Sequence, residues 1–145
     1  MNNTHLPLYS KQSEILVEQL LHPDSPHRNI GGIIKLYGIF EKEKFIDCLE
    51  KLAAVSDVFR HQIELKNNTY WNTFKENSTY AFKEIDFSAA ENTFSKAESW
   101  FHNTFLSQVF QLEGSFIDIV LCKVSNHEHW ICERTTLLWM GKVMR

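Results

Sequence analysis

The chain has 145 residues, 43% hydrophobic and 23% charged, with a net charge of −3. That length and mixture suit one domain with a sizeable core, and single lysines scattered among acids lack the basic footprint of a nucleic-acid binder. No stretch reaches the roughly 18 apolar residues of a bilayer span, "MNNTHLPLYS" is not a secretory signal, and Cys48, Cys122 and Cys132 follow no disulfide or zinc spacing, which suits a reducing cytoplasm.

In residues 9–21, "YSKQSEILVEQLL", Ile15, Leu16, Leu20 and Leu21 recur near helical spacing. The two prolines of "HPDSPHRN" break that helix. "IGGIIKLYGIF" reads as a strand with Ile34 and Leu36 on one face and Lys35 and Tyr37 on the other. "EKEKFIDCLEKLAAVS" is the clearest amphipathic helix, with Phe45, Leu49 and Leu52 as its apolar stripe. "VFRHQIEL" and "TYWNTF" flank "KNN" as a hairpin, and "STYAFKEIDF" offers another strand. "SAAE" at 88–91 has the capping-box pattern, so Ser88 is expected to cap a helix running to about residue 109. Phe94, Ala97, Phe101 and Phe105 form one stripe of that helix. "FIDIVLCKV" and "EHWICERT" are two strands joined by "SNH". Helices alternating with mostly hairpin-linked strands predict an α+β fold with a mixed sheet.

Local catalytic motifs are poor. There is no Gly-rich phosphate loop, G-x-S-x-G elbow, HExxH or Cys pair. His127 and His129 share a strand face and can in principle ligate a metal, but no carboxylate or Cys cluster completes a site, and polar residues beside a hairpin is the preferred reading. His61, beside Arg60 on a strand, is of a residue type that can act as an acid or base near neutral pH. A structural pair is favoured, because no nucleophile or carboxylate is evident nearby. The aromatic stripe reads as core before it reads as a pocket lining.

The segment "LPLYSKQSEILVEQLLHPDSPHRNIGG" resembles the start of condensation domains of nonribosomal peptide synthetases, with Gln12 as the central Gln of the first helix. The likeness continues through "FEKEKFIDCLEKLAAVSDVFR", where Phe59-Arg60 stand at the family's Leu-Arg. It extends through "EIDFSAAENTFSKAESWF" and "VFQLEGSFIDIVLCKVSNHEHWI", from Leu6 to about Ile131. There are departures: Lys11 and Glu14 flank Gln12, the family's Pro-Phe-Asp-Leu appears as Val109-Phe110-Gln111-Leu112, and His61 follows Arg60 where Thr is common.

The resemblance implies one lobe of a chloramphenicol acetyltransferase-like fold, in which two lobes form a V around a tunnel. Carrier proteins deliver an acyl donor and an amine acceptor at opposite mouths, and an amide bond forms between the carried groups. It implies no metal or redox cofactor, since the phosphopantetheine arms belong to the carriers. Gln12 and Arg60 are implied as structural residues of the family's motifs. The signature His-His-x-x-x-Asp-Gly, whose second His faces the tunnel, should follow "HWICER".

In its place stand Thr135-Thr136-Leu137-Leu138-Trp139-Met140-Gly141. The hydroxyl of Thr is too weak a base to replace imidazole near neutral pH, so no catalytic residue is assigned. The genetic code offers a reason. Read from third bases, the codons of Trp139-Met140-Gly141 must spell Asp-Gly. The overlaps of Arg134 with Thr135, and of Thr135 with Thr136, give His-His if two third bases are C. Three codons separate the pairs, as the signature requires. The expectation is therefore a truncated N-terminal lobe over residues 1–132 and an out-of-frame tail over 133–145, with the frame changing near Ile131–Glu133. Such a chain should lack condensation activity, lack its C-terminal lobe and self-associate through open edges. Two alternatives are a non-catalytic module that docks carrier proteins, and a small acyltransferase of the same superfamily using His61, His102, His127 or His129.

Overall fold

The computed structural model describes residues 5–78 and 80–140. Chain order is β1 (Leu6–Pro7), α1 (Ser10–Leu21), β2 (Asn29–Tyr37), α2 (Lys42–Val55), a 3-10 turn (Asp57–Phe59), β3 (His61–Lys66), β4 (Thr69–Phe74), β5 (Ala81–Asp86), α3 (Thr93–Trp100), β6 (Ile117–Ser125), β7 (Glu128–Thr136) and a closing 3-10 turn (Leu137–Met140). α3 continues into a π turn over Phe101–Phe105, where the Leu106 amide reaches back to the Phe101 carbonyl (2.9 Å).

The strands form two sheets, a four-stranded one in the order β2-β7-β6-β5 and a three-stranded one in the order β1-β4-β3. Among the described strands only β5 and β6 run parallel. The β3–β4 hairpin turns through Asn67 and Asn68, both at positive φ (51° and 60°), as a tight turn matching strand twist requires. Alternation along β6 and β7 sends side chains to opposite faces of the larger sheet. On one face Ala97, Phe101 and Phe105 pack on Val120, Cys122, Val124, Trp130 and Cys132. On the other, Leu49 and Ala53 pack with Phe59 and Ile119, and Phe45, Ile117 and Ile131 join them. A third cluster ties α1 to the end of the chain, with Leu16 against Ile63, Phe116 and Leu138.

Three local expectations are corrected. The core-facing stripe of α2 is Phe45, Leu49 and Ala53, while Leu52 is 51% exposed; helical spacing suits either 52 or 53, and the packing against the sheet selects Ala53. Ser88 is not a helix cap: its amide and hydroxyl both donate to Asp86 Oδ1 (2.8 and 2.5 Å), and α3 starts after Asn92, in the left-handed region at φ 55°. Here Asp86 and Ser88 make a local turn that competes with helix initiation. The π turn ends that helix at Phe105, short of residue 109, and Phe94 at its start is half exposed, so the buried stripe is Ala97, Phe101 and Phe105.

Candidate functional site

The signature's place lies where β7 runs into the closing 3-10 turn. Thr135 and Thr136 belong to β7, paired with Ile30 and Asn29 of β2, and Thr135 also faces Ile117 of β6. Both hydroxyls are occupied locally. Thr135 Oγ1 donates to the Phe116 carbonyl (2.7 Å), and Thr136 Oγ1 accepts from the Leu138 amide (3.4 Å). Thr136 is buried. Leu137 donates its amide to the Arg28 carbonyl (3.0 Å), and Leu138 is buried against Leu16, Ile63 and Phe116. Met140 ends the turn, and Gly141 lies outside the described residues.

Beneath this turn sits a buried polar network whose members come from three elements. Gln12, on α1, donates from Nε2 to the Leu138 carbonyl (2.9 Å) and to Asn72 Oδ1 (3.1 Å). Its Oε1 accepts from Asn72 Nδ2 (2.9 Å) and the Tyr9 amide (3.1 Å). Asn72, on β4, also donates to the Pro7 carbonyl (3.0 Å), and its Oδ1 meets His61 Nε2 (2.7 Å). With that oxygen as acceptor, the network assigns the proton of His61 to Nε2 and leaves Nδ1, buried and without a hydrogen-bond partner among the described residues, as a bare acceptor. The ring lies between Phe74 and Phe116, both centred 5.3 Å away. Burial holds its pKa below the ordinary histidine value, against the opposing pull of Asn72 and Asp57.

A second anchor holds the strand itself. Arg134 is buried and pairs with Asp118 across the β6–β7 ladder. Its Nη1 donates to the carbonyls of Phe105 (3.0 Å) and Gln108 (2.6 Å), and its guanidinium lies 4.3 Å from the Phe110 ring centre. The Asn29 side chain donates to the Leu106 and Gln108 carbonyls (both 2.7 Å). Residues 105–108 are thus tied to both β2 and β7.

Of the residues singled out by the sequence, Gln12 reaches the signature's place directly and His61 reaches it through Asn72. Arg60 does not join them: it pairs with Asp57. His129 stacks on Phe40 (4.8 Å), its pKa lowered by desolvation and by Lys123, while His127 lies in the turn before β7. His102 is exposed on the π turn. Among the described residues no group of three His, Cys, Asp or Glu could hold a metal ion. Cys122 and Cys132 lie 3.8 Å apart and buried; their mutual hydrogen bond, then burial, push the Cys122 thiol far up. Sequence reasoning missed Asn72, Asp118 and the role of Arg134. Cross-strand partners separated by 11 to 60 residues carry no local signal. At the two positions after Arg134 the chain offers two committed hydroxyls and no imidazole.

Comparison with known proteins sets this geometry in a family. The family model described as "Condensation domain" matches residues 2–134. The starter condensation domain of rhizomide synthetase RzmA superposes with a TM-score of 0.86 at 23% identity, over 93% of this chain and 33% of that one. A variant of that domain in complex with C8-CoA and Leu-SNAC gives 0.84, also at 23% identity, over 93% of this chain and 31% of that one. The first condensation domain of the calcium-dependent antibiotic synthetase gives 0.79 at 14% identity, covering 92% of this chain and 32% of that one. This chain therefore spans about a third of the length of the structures it matches. No curated protein sequence matches it. No helix among the described residues is long and apolar enough to cross a membrane.

Proposed function

The chain belongs to the condensation domain family, and from that premise we propose that it carries the N-terminal lobe's share of a cytoplasmic amide-bond-forming machine without its catalytic imidazole. In the complete domain the acyl and aminoacyl groups would arrive on carrier proteins, and a C-terminal lobe would close the tunnel over the end of β7. The observation that carries this reading is the residue set at that strand end. Family likeness runs to residue 134, and the next two positions hold Thr135 and Thr136, with both hydroxyls committed to neighbouring backbone. A hydroxyl so held neither takes a proton from an amine near neutral pH nor turns to a substrate without breaking its bond. Residues 135–145, beyond that match, are read as translated out of frame.

Two measurements test this. Incubated with an octanoyl thioester and a leucyl thioester, the chain should form no N-octanoyl-leucyl product above the uncatalysed rate; turnover would overturn the proposal. The nucleotide sequence should place C at the third bases of Arg134 and Thr135, with a condensation-like continuation in the other frame. Binding to a phosphopantetheine-bearing carrier, without turnover, would support the docking alternative.

A further inference from the structure

A sheet leaves two open sides, and the four edge strands here are not treated alike. β1 is two residues long and includes Pro7. β3 is met on its outer side by the 110–116 segment, where the Leu112 carbonyl accepts the Ile63 amide (3.1 Å). β5 carries Lys83, Glu84 and Asp86, with Glu84 and Asp86 paired to Lys42 (3.2 Å) and Lys123 (3.9 Å). Brevity, proline, cover and charge are the usual guards against edge-to-edge association. Among the described residues β2 has none of them. It is nine residues long, contains no proline, and keeps a one-to-one register with β7 from Asn29↔Thr136 to Tyr37↔Glu128. Its one charged side chain, Lys35, is drawn aside to Glu98 (3.6 Å) and lies 4.4 Å over the Trp130 ring.

The direction of its backbone groups follows from the bonds at either end. The Leu137 amide donates to the Arg28 carbonyl, and the Gly38 amide to the His127 carbonyl (2.8 Å). Both pairs extend the β2–β7 register, so even-numbered residues bond to β7 and odd-numbered ones turn outward. The Asn29 amide is taken by Pro26 (2.8 Å). Gly31, Ile33, Lys35 and Tyr37 then present both donor and acceptor to the free side. Along the same strand Ile30 and Ile34 are 42% and 50% exposed.

We propose that this edge is filled by a second copy of the chain, paired antiparallel about a two-fold axis at Ile33, joining the two four-stranded sheets. The edge is complementary to itself in that register. Residues whose numbers sum to 66 face each other, so all nine pair and outward-facing groups meet outward-facing groups. Lys35 falls opposite Gly31 rather than opposite the other lysine. Ile30 meets Leu36, and Ile34 meets Gly32, where an added Cβ would find nothing nearer than Glu133 Oε1 at 3.7 Å. Close, non-hydrogen-bonded pairs bring those apolar side chains together, and the odd-numbered residues supply about eight main-chain hydrogen bonds. One contact patch used twice closes the assembly at two.

Sedimentation velocity of the whole chain across a concentration series up to about 100 µM should show a reversible monomer–dimer equilibrium. Ile34→Lys should weaken it at least about tenfold with an unchanged circular dichroism spectrum. Leu20→Lys, on the exposed apolar face of α1, should leave it intact. Amide exchange at Gly31, Ile33, Lys35 and Tyr37 should slow in the dimer, and this readout decides the matter if Ile34→Lys does not fold. A monomer throughout, open-ended polymers, a dimer broken by Leu20→Lys, or unslowed β2 amides would each overturn the proposal. None of these outcomes bears on the activity reading above.

Discussion

Gln12→Ala should cost far more than its place on a surface helix suggests. Its side-chain amide is buried and makes four hydrogen bonds to three residues, but these are not equally dependent on it. Asn72 would keep His61 and Pro7. The buried Leu138 carbonyl would lose its side-chain donor and the partly buried Tyr9 amide its acceptor. Stranding a buried polar group costs about 1–3 kcal/mol, less where water can reach it, and the vacated space adds a cavity term. The expected loss is about 2–4 kcal/mol, a large share of the 5–15 kcal/mol that typically separates folded from unfolded chains. Urea unfolding followed by tryptophan emission measures it, since Trp130 is fully buried. Asn72→Ala and the double variant complete a cycle, and the coupling should reach about 1–2 kcal/mol. A Gln12→Ala loss below about 0.5 kcal/mol, or strictly additive variants, would refute the network's role in holding the 137–140 turn.

Three further outcomes are expected. Because burial lowers the pKa of His61 in the fold, the unfolded chain binds the extra proton as pH falls; stability should be full above about 6.5 and decline below it until the folded-state pKa is passed, by up to about 1.4 kcal/mol per pH unit, and His61→Asn should flatten that slope in urea titrations. Arg134→Ala leaves Asp118 and two carbonyls without their partner, so about 3–5 kcal/mol should be lost by the same assay, with Arg134→Lys only partly rescuing the forked geometry. Leu49→Ala should cost about 2–5 kcal/mol and Leu52→Ala under about 1 kcal/mol; equal costs would contradict the packing of α2.

What the sequence exposes depends on how far apart the cooperating residues lie. Local periodicity is sufficient for α1, α2, the Asn67–Asn68 hairpin and the β6–β7 pair, because each is decided within a dozen or so residues. It fails where a short tertiary step overrides it. The 45–49–52 pattern looks as good as 45–49–53 on paper, and only the sheet beneath selects Ala53 over the larger Leu52. Ser88 satisfies a capping pattern, but Asp86 lies nearer and takes its hydrogen bonds. Gln12 is visible only through family likeness. Nothing in "SKQSEI" says that its amide is buried, because its partners lie 60 and 126 residues away. The Arg134 site is hidden for the same reason.

The smooth run of β7 through Thr136 says little about which reading frame produced the strand's end. Main-chain pairing is indifferent to side chains, and Thr is a β-branched residue that suits almost any strand. Arg134 carries more information. Its guanidinium meets Asp118, two carbonyls and the Phe110 face at once, a buried arrangement that few other side chains could satisfy. All of those partners lie inside the stretch that matches the family, so Arg134 is most simply read in the same frame as they are. The codons agree. In the shifted frame the last base of Cys132 joins the first two of Glu133 to spell CGA or TGA, arginine or a stop. A shift entering before Cys132 is therefore open only if that codon ends in C. Both considerations move the proposed change of frame from Ile131–Glu133 to the third base of Arg134, the first base the hidden His-His-x-x-x-Asp-Gly requires. A gene whose likeness to condensation domains in the other frame begins upstream of Cys132 would contradict this placement, and would make the fit of Arg134 to Asp118 a coincidence.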